Sequence, residues 1–248
     1  MTDEHQELIR GFWDRDAHTY DLTASHAISD PVERAAWRTA LLEALPERGS
    51  RVLDVGAGTG ALTLLAAELG YRVTALDLSP SMLAHAERKA AEAGLEVGFV
   101  VGSGSEPPSD GFDAVMERHV LWTMPEPVDA LRAWRDVVVP GGRVVLFEGI
   151  WGGWSITRGI RDRLSQVIRQ VLGSAPDHHG PYPEEVLERL PFRQMPSPRP
   201  LVDALHEAGW TKVRMKRLRD VEWAGRLHEP WPLGWLEALP RFVLVGEA

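Results

Sequence analysis

The chain has 248 residues, with 27 Lys and Arg against 36 Asp and Glu, a formal net charge of −9. That length is ample for one large domain with a buried core, and 44% hydrophobic with 25% charged residues excludes a disordered or collagen-like chain. The acidic balance leaves no footprint for a nucleic-acid binder, and the absence of cysteine excludes disulfides, thiolate zinc sites and a cysteine nucleophile.

Residues 1–22 read as a polar helical start. They lack the basic opening and apolar run of a signal peptide. No stretch approaches the length of a membrane span, so no membrane partner and a cytoplasmic location are expected. A helix follows with Asp30 as N-cap, Pro31 at its first position and Glu33 three residues after the cap. Val32, Ala36, Ala40, Leu41, Ala44 and Leu45 supply its apolar stripe, and Pro46 and Gly49 end it. RVLDV (51–55) is then a short strand, Thr59 to Leu69 a helix closed by Gly70, and YRVTALD (71–77) a strand. Ser79-Pro80 opens another helix and Gly94 stops it. LEVGFVV (95–101) and FDAVME (112–117) are strands, Glu126 to Val138 is helical, and Pro140-Gly141-Gly142 turns into strand RVVLFE (143–148). Alternation sustained in this way predicts a parallel sheet with helices on both faces.

From 151 the regularity breaks. Residues 155–172 form a helix with apolar Ile156, Ile160, Leu164, Val167, Ile168 and Val171, decorated by Arg158, Arg161, Arg163 and Arg169. A proline-rich stretch leads to a helix from Leu201 to Ala208, ended by Gly209. TKVRMKRLRDVEW and RFVLVGE read as two closing strands. The expected organisation is a single domain, 1–248. It comprises an N-terminal helical cap (1–45), a ligand-binding core (50–150), a lid or substrate insertion between the fifth and sixth strands (151–200), and a closing helix and strands (201–248).

The stretch VLDVGAGTG (52–60) carries the functional argument, a strand running into a glycine loop and then a helix. Glycines let backbone approach a ligand, and the helix start offers free N–H groups. No Gly-Lys-Ser/Thr follows, so it is not a P-loop. Gly56, Gly58 and Gly60 are spaced G-x-G-x-G, unlike a dinucleotide fingerprint. Asp54 at the strand end suits a ligand carrying positive charge. Asp77, at the end of the second strand, can accept the hydroxyls of a ribose. A ribose, an adenine, a sulfonium and an amino-acid tail together describe S-adenosylmethionine (SAM).

On these residues the chain resembles the class I SAM-dependent methyltransferases, in the small-molecule branch whose first motif is E/D-VGAGTG. The resemblance covers 50–150 strongly and 201–245 in outline. It implies an α/β, Rossmann-like sheet, mostly parallel with an antiparallel last strand, helices on both faces and a helical lid insertion. It implies that Gly56, Ala57 and Gly58 pass beneath the methionine moiety and that Asp77 binds the ribose. It places Leu78 and Met82 near the adenine with Gly104 at its edge, and Glu117 and Arg118 beside the methionine end. FWDRDAHTYD (12–21) resembles a segment that closes over the cofactor, with Tyr20 toward its carboxylate. Ser103 stands where the family often has an acidic residue on the adenine amino group. It can hydrogen-bond there, more weakly than a carboxylate.

His119, just past the fourth strand, has the titration range of a general base, and Glu148, at the end of the fifth, can accept a proton or hold an amine. Each equally suits a structural role, a histidine bonded to backbone or a carboxylate paired with arginine. His178-His179 has no evident third ligand, so no metal is expected. Trp122, Trp151 and Trp154 follow the fourth and fifth strands, and Trp13 precedes the core. Together they suggest a pocket for an aromatic or planar acceptor, although each suits a core as well. Segment 151–220 carries 12 Arg and Lys against 8 Asp and Glu, which would attract an anion or simply solvate a helix face. The reading is methyl transfer from SAM to a small molecule, of the kind found in secondary metabolism. The alternatives are other SAM chemistry on the same fold, such as its cyclisation, and a non-catalytic SAM-binding partner. The oligomeric state stays open.

Overall fold

The computed structural model describes residues 3–22, 24–109, 111–152, 156–172, 187–228 and 230–248. Strands β1 (Arg51–Val55), β2 (Arg72–Asp77), β3 (Val97–Val101), β4 (Phe112–Arg118), β5 (Val138–Gly149), β6 (Thr211–Arg217) and β7 (Arg241–Glu247) form one sheet in the order β3-β2-β1-β4-β5-β7-β6. Pairings among β1 to β5 are parallel, while β7 runs antiparallel to both β5 and β6. Val55 pairs with Leu76 on one side and Glu117 on the other, so the C-terminal ends of β1, β2 and β4 lie level. The strand order reverses at β1, which opens a crevice at those ends.

Before the sheet come α1 (Asp3–Asp16), a 3-10 turn (Tyr20–Leu22), α2 (Ala24–Ala27) and α3 (Pro31–Ala44). Within and after it come α4 (Ala61–Glu68), α5 (Pro80–Ala93), α6 (Pro127–Asp136), α7 (Ile156–Leu172), α8 (Arg199–Glu207), α9 (Arg219–His228) and α10 (Leu233–Leu236). The α3 cap is as expected, because the Asp30 carboxylate accepts from the N–H groups of Val32 and Glu33 at 2.8 and 3.1 Å. Glu33 is buried and accepts from the Trp37 indole at 3.3 Å. Ser79 caps α5, and Gly94 ends it with φ of +65°.

Two apolar layers sandwich the sheet. On one face Leu53, Val55, Val115, Val144, Leu146 and Leu244 meet Leu131, Trp134, Leu201, Leu205 and Trp210 from α6, α8 and the turn after α8. On the other, Val52, Ala114, Met116, Val145, Phe147 and Val243 meet Trp37, Leu41, Leu62, Leu65 and Val221 from α3, α4 and α9. This alternation along each strand is what a sheet covered on both faces requires.

Three expectations are corrected. LRDVEW does not continue a strand, because the chain leaves β6 at Arg217 and becomes α9. Leu218, Val221 and Ala224 recur every third residue and are all buried, a helical spacing that packs on α3. The fifth strand starts earlier than Arg143: Val138 already pairs with Phe112, and an irregularity in the register absorbs the Pro140-Gly141-Gly142 stretch. The helix expected to Val138 accordingly stops at Asp136. The expected helix over 155–172 is present as α7, but Ile160, Leu164, Val167 and Val171 face outward at 47–80% exposure.

Candidate active site

Beyond Val55 the chain turns through Gly56, Gly58 and Gly60 with φ of +64°, +56° and +87°. These left-handed conformations favour glycine. At Gly56 a side chain is excluded outright, since an added Cβ would overlap both methyls of Val120. The N–H groups of Gly56 and Ala57 are held by the Leu76 carbonyl at 2.7 and 3.1 Å, which ties the loop to the end of β2.

Asp77 stands beside that loop. One carboxylate oxygen accepts from Gly58 N–H and the other from Ser79 N–H, each at 2.8 Å. Each oxygen keeps a second lone pair for a hydroxyl donor. Burial raises its pKa to about 6. A cleft of about 780 Å³ opens here, walled by Gly56, Gly58, Asp77, Leu78, Met82, Ser103, Gly104, Arg118 and His119, with Trp13 and Tyr20 from the N-terminal segment. An adjoining recess of about 310 Å³ shares Tyr20, Gly56, Gly58 and Arg118 and reaches Asp54 and Ala57. Asp54 is buried and accepts from Thr63 Oγ1 at 2.5 Å, and its burial raises its pKa to about 7. A cationic ligand here would recover the ionised form of both aspartates.

Glu117 is brought close without joining either wall. Its Oε2 accepts from the N–H groups of Val120 and Leu121 at 2.7 and 3.3 Å and so caps the 3-10 turn Leu121–Thr123. Burial raises its pKa to about 8. Arg118 donates to the His26 carbonyl at 3.1 Å and lies over the Trp37 ring. His26 in turn stacks on Tyr20, with ring centroids 4.2 Å apart.

The N-terminal segment is clasped over the cleft by contacts that sequence reasoning missed. Asp14 accepts from Ser79 Oγ at 2.5 Å and from Ser81 N–H at 3.2 Å. Asp21 accepts from Thr59 Oγ1 at 2.6 Å and pairs with Lys89 Nζ at 2.5 Å. Gln6 donates to Ser103 Oγ at 3.3 Å. Ile9 and Trp13 of α1 meet Leu187 and Leu190 of the insertion, together with Leu78 and Trp122. Partners this far apart in the chain leave no local signal.

His119 occupies a left-handed backbone position, φ +60°, an unusual conformation for a residue with a Cβ. Its Nδ1 lies 2.9 Å from Glu148 Oε2, and its Nε2 lies 3.2 Å from an Arg241 guanidinium nitrogen. Burial, then the charges of Arg241 and Arg118, hold its pKa well below the usual histidine range. Burial and the neighbouring Glu117 push Glu148 well above the usual carboxylate range. Trp151 stands edge-on to His119 at 5.8 Å and to Trp122 at 6.3 Å, and neither indole lines the cleft. Trp154, His178 and His179 lie outside the described residues. Among the described residues no group of three His, Asp or Glu is placed to hold a metal, and no helix is long and apolar enough to cross a membrane.

Comparison with known proteins agrees with this geometry. Residues 53–146 match a family model described as a methyltransferase domain. Over 219 residues the chain is 32% identical to a demethylmenaquinone methyltransferase of Beutenbergia cavernae, covering 87% of this chain and 88% of that one. Over 232 residues it is 35% identical to a ubiquinone biosynthesis O-methyltransferase of Xanthomonas axonopodis pv. citri, covering 92% and 84% respectively. Among solved structures, a SAM-dependent methyltransferase from Aquifex aeolicus superposes with a TM-score of 0.56 at 17% identity, covering 91% of this chain and 97% of that one. At that identity the likeness is one of fold.

Proposed function

The chain belongs to the class I SAM-dependent methyltransferases and carries a methyl group from SAM to a small-molecule acceptor, and from that premise we propose how its residues divide the work. Bound SAM supplies a methyl already made electrophilic by the sulfonium. The ribose hydroxyls fall to Asp77 and the methionine end to Gly56, Ala57, Gly58, Asp54 and Tyr20, with Arg118 beside it. Glu117 serves indirectly, by fixing the turn that carries Val120 against Gly56. Leu78, Met82, Ser103 and Gly104 take the adenine. His119, oriented by Glu148, receives a proton where the acceptor must lose one. The cap over 1–45 and the insertion over 151–200 exclude water when they close on the cleft.

The observation that carries this reading is that one cleft is walled by both Asp77 and His119. The cofactor subsite and the candidate base thus share a space, as in-line transfer demands. A planar acceptor is supported by Trp13 in the wall and by Trp151 beside His119. Relatives named for ubiquinone and demethylmenaquinone methylation point the same way.

Calorimetry with S-adenosylhomocysteine tests the cofactor half. Asp77→Ala should lose about 1.5–3 kcal/mol of binding, the scale of hydrogen bonds to a charged group. Binding of NAD with none of S-adenosylhomocysteine would overturn the assignment. For the base, His119→Ala should lower turnover roughly 10²–10⁴-fold with cofactor affinity unchanged. A variant with lowered thermal stability but near-normal turnover would make His119 structural.

A further inference from the structure

The histidine beside the cleft has both ring nitrogens engaged, and the partners fix its state. A guanidinium only donates hydrogen bonds. Nε2, 3.2 Å from the Arg241 guanidinium, must therefore be the acceptor. Nδ1 then carries the proton and donates it to Glu148 Oε2 at 2.9 Å. The imidazole is the neutral Nδ1–H form, held between the Glu148 carboxyl and the Arg241 cation. The lone pair a general base needs is thus covered by Arg241.

Arg241 is unusual in its own right. It opens β7 opposite Gly149, at the same rim of the sheet as the cleft. Among the described residues no carboxylate lies within ion-pair distance of its guanidinium. Glu222 binds its backbone N–H at 2.9 Å and spends its side-chain charge on Arg217. Arg241 does not itself wall the cleft but adjoins it through His119 Nε2. A half-buried guanidinium with spare donors is a strong site for an oxyanion.

We propose that Arg241 binds the acceptor's oxygen, and that the acceptor is an acidic hydroxyl on a planar ring, a phenol or enol. This rests on the methyl-transfer reading above and names its substrate class. The hydroxyl enters between Arg241 and His119, with its hydrogen toward Nε2 and its oxygen lone pair toward the guanidinium. Arg241 thereby gives up Nε2 to the substrate proton. The O–H bond breaks, the proton passes to Nε2, and Glu148 faces the resulting imidazolium. The oxyanion, held by Arg241, forms its bond to the methyl as the methyl–sulfur bond breaks with its electron pair staying on sulfur. The imidazolium later returns its proton to water. An amine is disfavoured, because it gains positive charge as it reacts, next to a fixed cation.

The test uses the full-length protein saturated with S-adenosylhomocysteine and the chromogenic probe 4-nitrophenol, whose absorption distinguishes phenol from phenolate. The wild type should bind the phenolate and raise its fraction above that in buffer. Arg241→Gln should weaken phenolate binding by about tenfold or more, and Arg241→Lys should recover part of it. Calorimetric affinity for S-adenosylhomocysteine should stay within about twofold in both variants, since the cofactor subsite is elsewhere. Absence of phenolate binding by the wild type, equal binding by Arg241→Gln, or equal binding of 4-nitroaniline would each overturn the proposal. Failure of the wild type to bind S-adenosylhomocysteine would instead strike the methyl-transfer reading, and the two failures are read separately. Should Arg241→Gln not fold, Arg241→Lys alone decides, because unchanged phenolate affinity and spectrum there would reject a fork-shaped oxyanion contact.

Discussion

Helices α6 and α7 are both amphipathic, yet they lie on the protein in opposite senses. In α6, Ala130, Leu131 and Trp134 are buried against the sheet and the charged residues face out. In α7, Arg161, Ser165 and Arg169 face inward, onto α10 and the residues after it. Arg161 donates to the carbonyls of Leu236 and Ala238, while Ser165 and Arg169 bind the Glu237 carboxylate. Ile160, Leu164, Val167 and Val171 of α7 are left at the surface. Periodicity therefore predicts that a helix forms, but the partner decides which face is covered. A sheet offers apolar area, whereas the end of α10 offers carbonyls and a carboxylate, which a guanidinium satisfies better than a leucine does.

The largest test of this contrast is stability. Trp134 is fully buried, and its indole donates to the Gly104 carbonyl at 2.6 Å. Trp134→Ala should cost about 3–5 kcal/mol in urea unfolding. Leu164→Ala, on the outward face of α7, should cost less than about 0.5 kcal/mol. A loss at Leu164 approaching that at Trp134 would mean the face is covered in solution and would erase the distinction.

The same contrast decides how much was legible from sequence. In the half containing β1 to β5, caps and breakers agree with the strand–helix alternation. Asp30, Ser79 and Gly94 all sit where their chemistry requires. The residues proposed for the cofactor are legible there for the same reason, because they lie at strand ends fixed by local pattern. The cap contacts of Asp14 and Asp21 and the link from Arg241 to His119 were not legible. They join segments that only the tertiary fold brings together, through side chains that would be equally at home in solvent. Glu117 is ambiguous in a simpler way. A carboxylate at a strand end can bind a ligand or cap the next turn, and its bonds to the N–H groups of Val120 and Leu121 lie outside what a strand pattern encodes.

A pH series sharpens the description of the core half. Asp54 and Asp77 have pKa values near 7 and 6, raised chiefly by burial. Raised carboxylate pKa values mean that the unfolded chain ionises first. The free protein should lose stability as pH climbs from the ordinary carboxylate range toward 7, followed as a falling urea midpoint. Positively charged SAM favours the ionised aspartates, so its binding near pH 6.5 should release protons. Calorimetry in two buffers of different ionisation enthalpy measures that release. A buffer-independent enthalpy would show that neither aspartate faces the ligand's charge.

A smaller effect is expected where α7 is anchored. Arg169 and Glu237 are both about three-quarters buried at the side chain, with 25% and 30% exposed. Arg169→Ala should cost about 1 kcal/mol, an exposed pair's value being smaller still. The loss should be local, with amide protection in α7 falling in hydrogen exchange while the sheet keeps its own. Uniform loss across the molecule would show that α7 unfolds only with the core.

The smallest expected effect concerns α1, which is held as α7 is, by polar contacts at its end. Asp14 accepts from Ser79 Oγ and Ser81 N–H, at the start of the helix that follows Asp77. Burial works against its charge, but these hydrogen bonds outweigh it and hold its pKa below the usual carboxylate value. A lowered carboxylate pKa stabilises the docked state above the ordinary range, and that contribution is lost as pH falls below it. Asp14→Ala removes the one oxygen, Oδ1, that accepts both bonds, while Asp14→Asn keeps an oxygen there without the charge. The alanine variant should bind S-adenosylhomocysteine roughly two- to fivefold more weakly, because a smaller fraction of molecules has α1 closed over the cleft. The asparagine variant should lie between it and the wild type. Urea midpoints should hardly move, since Ser79 still caps α5 and both apolar layers are intact. Limited proteolysis separates docking from affinity: cleavage within residues 3–22 should quicken in the alanine variant and slow again when S-adenosylhomocysteine is added. Unchanged cleavage and affinity in Asp14→Ala would place the hold of α1 in Ile9 and Trp13 alone, and α1 would then differ from α7 in being seated by apolar contact.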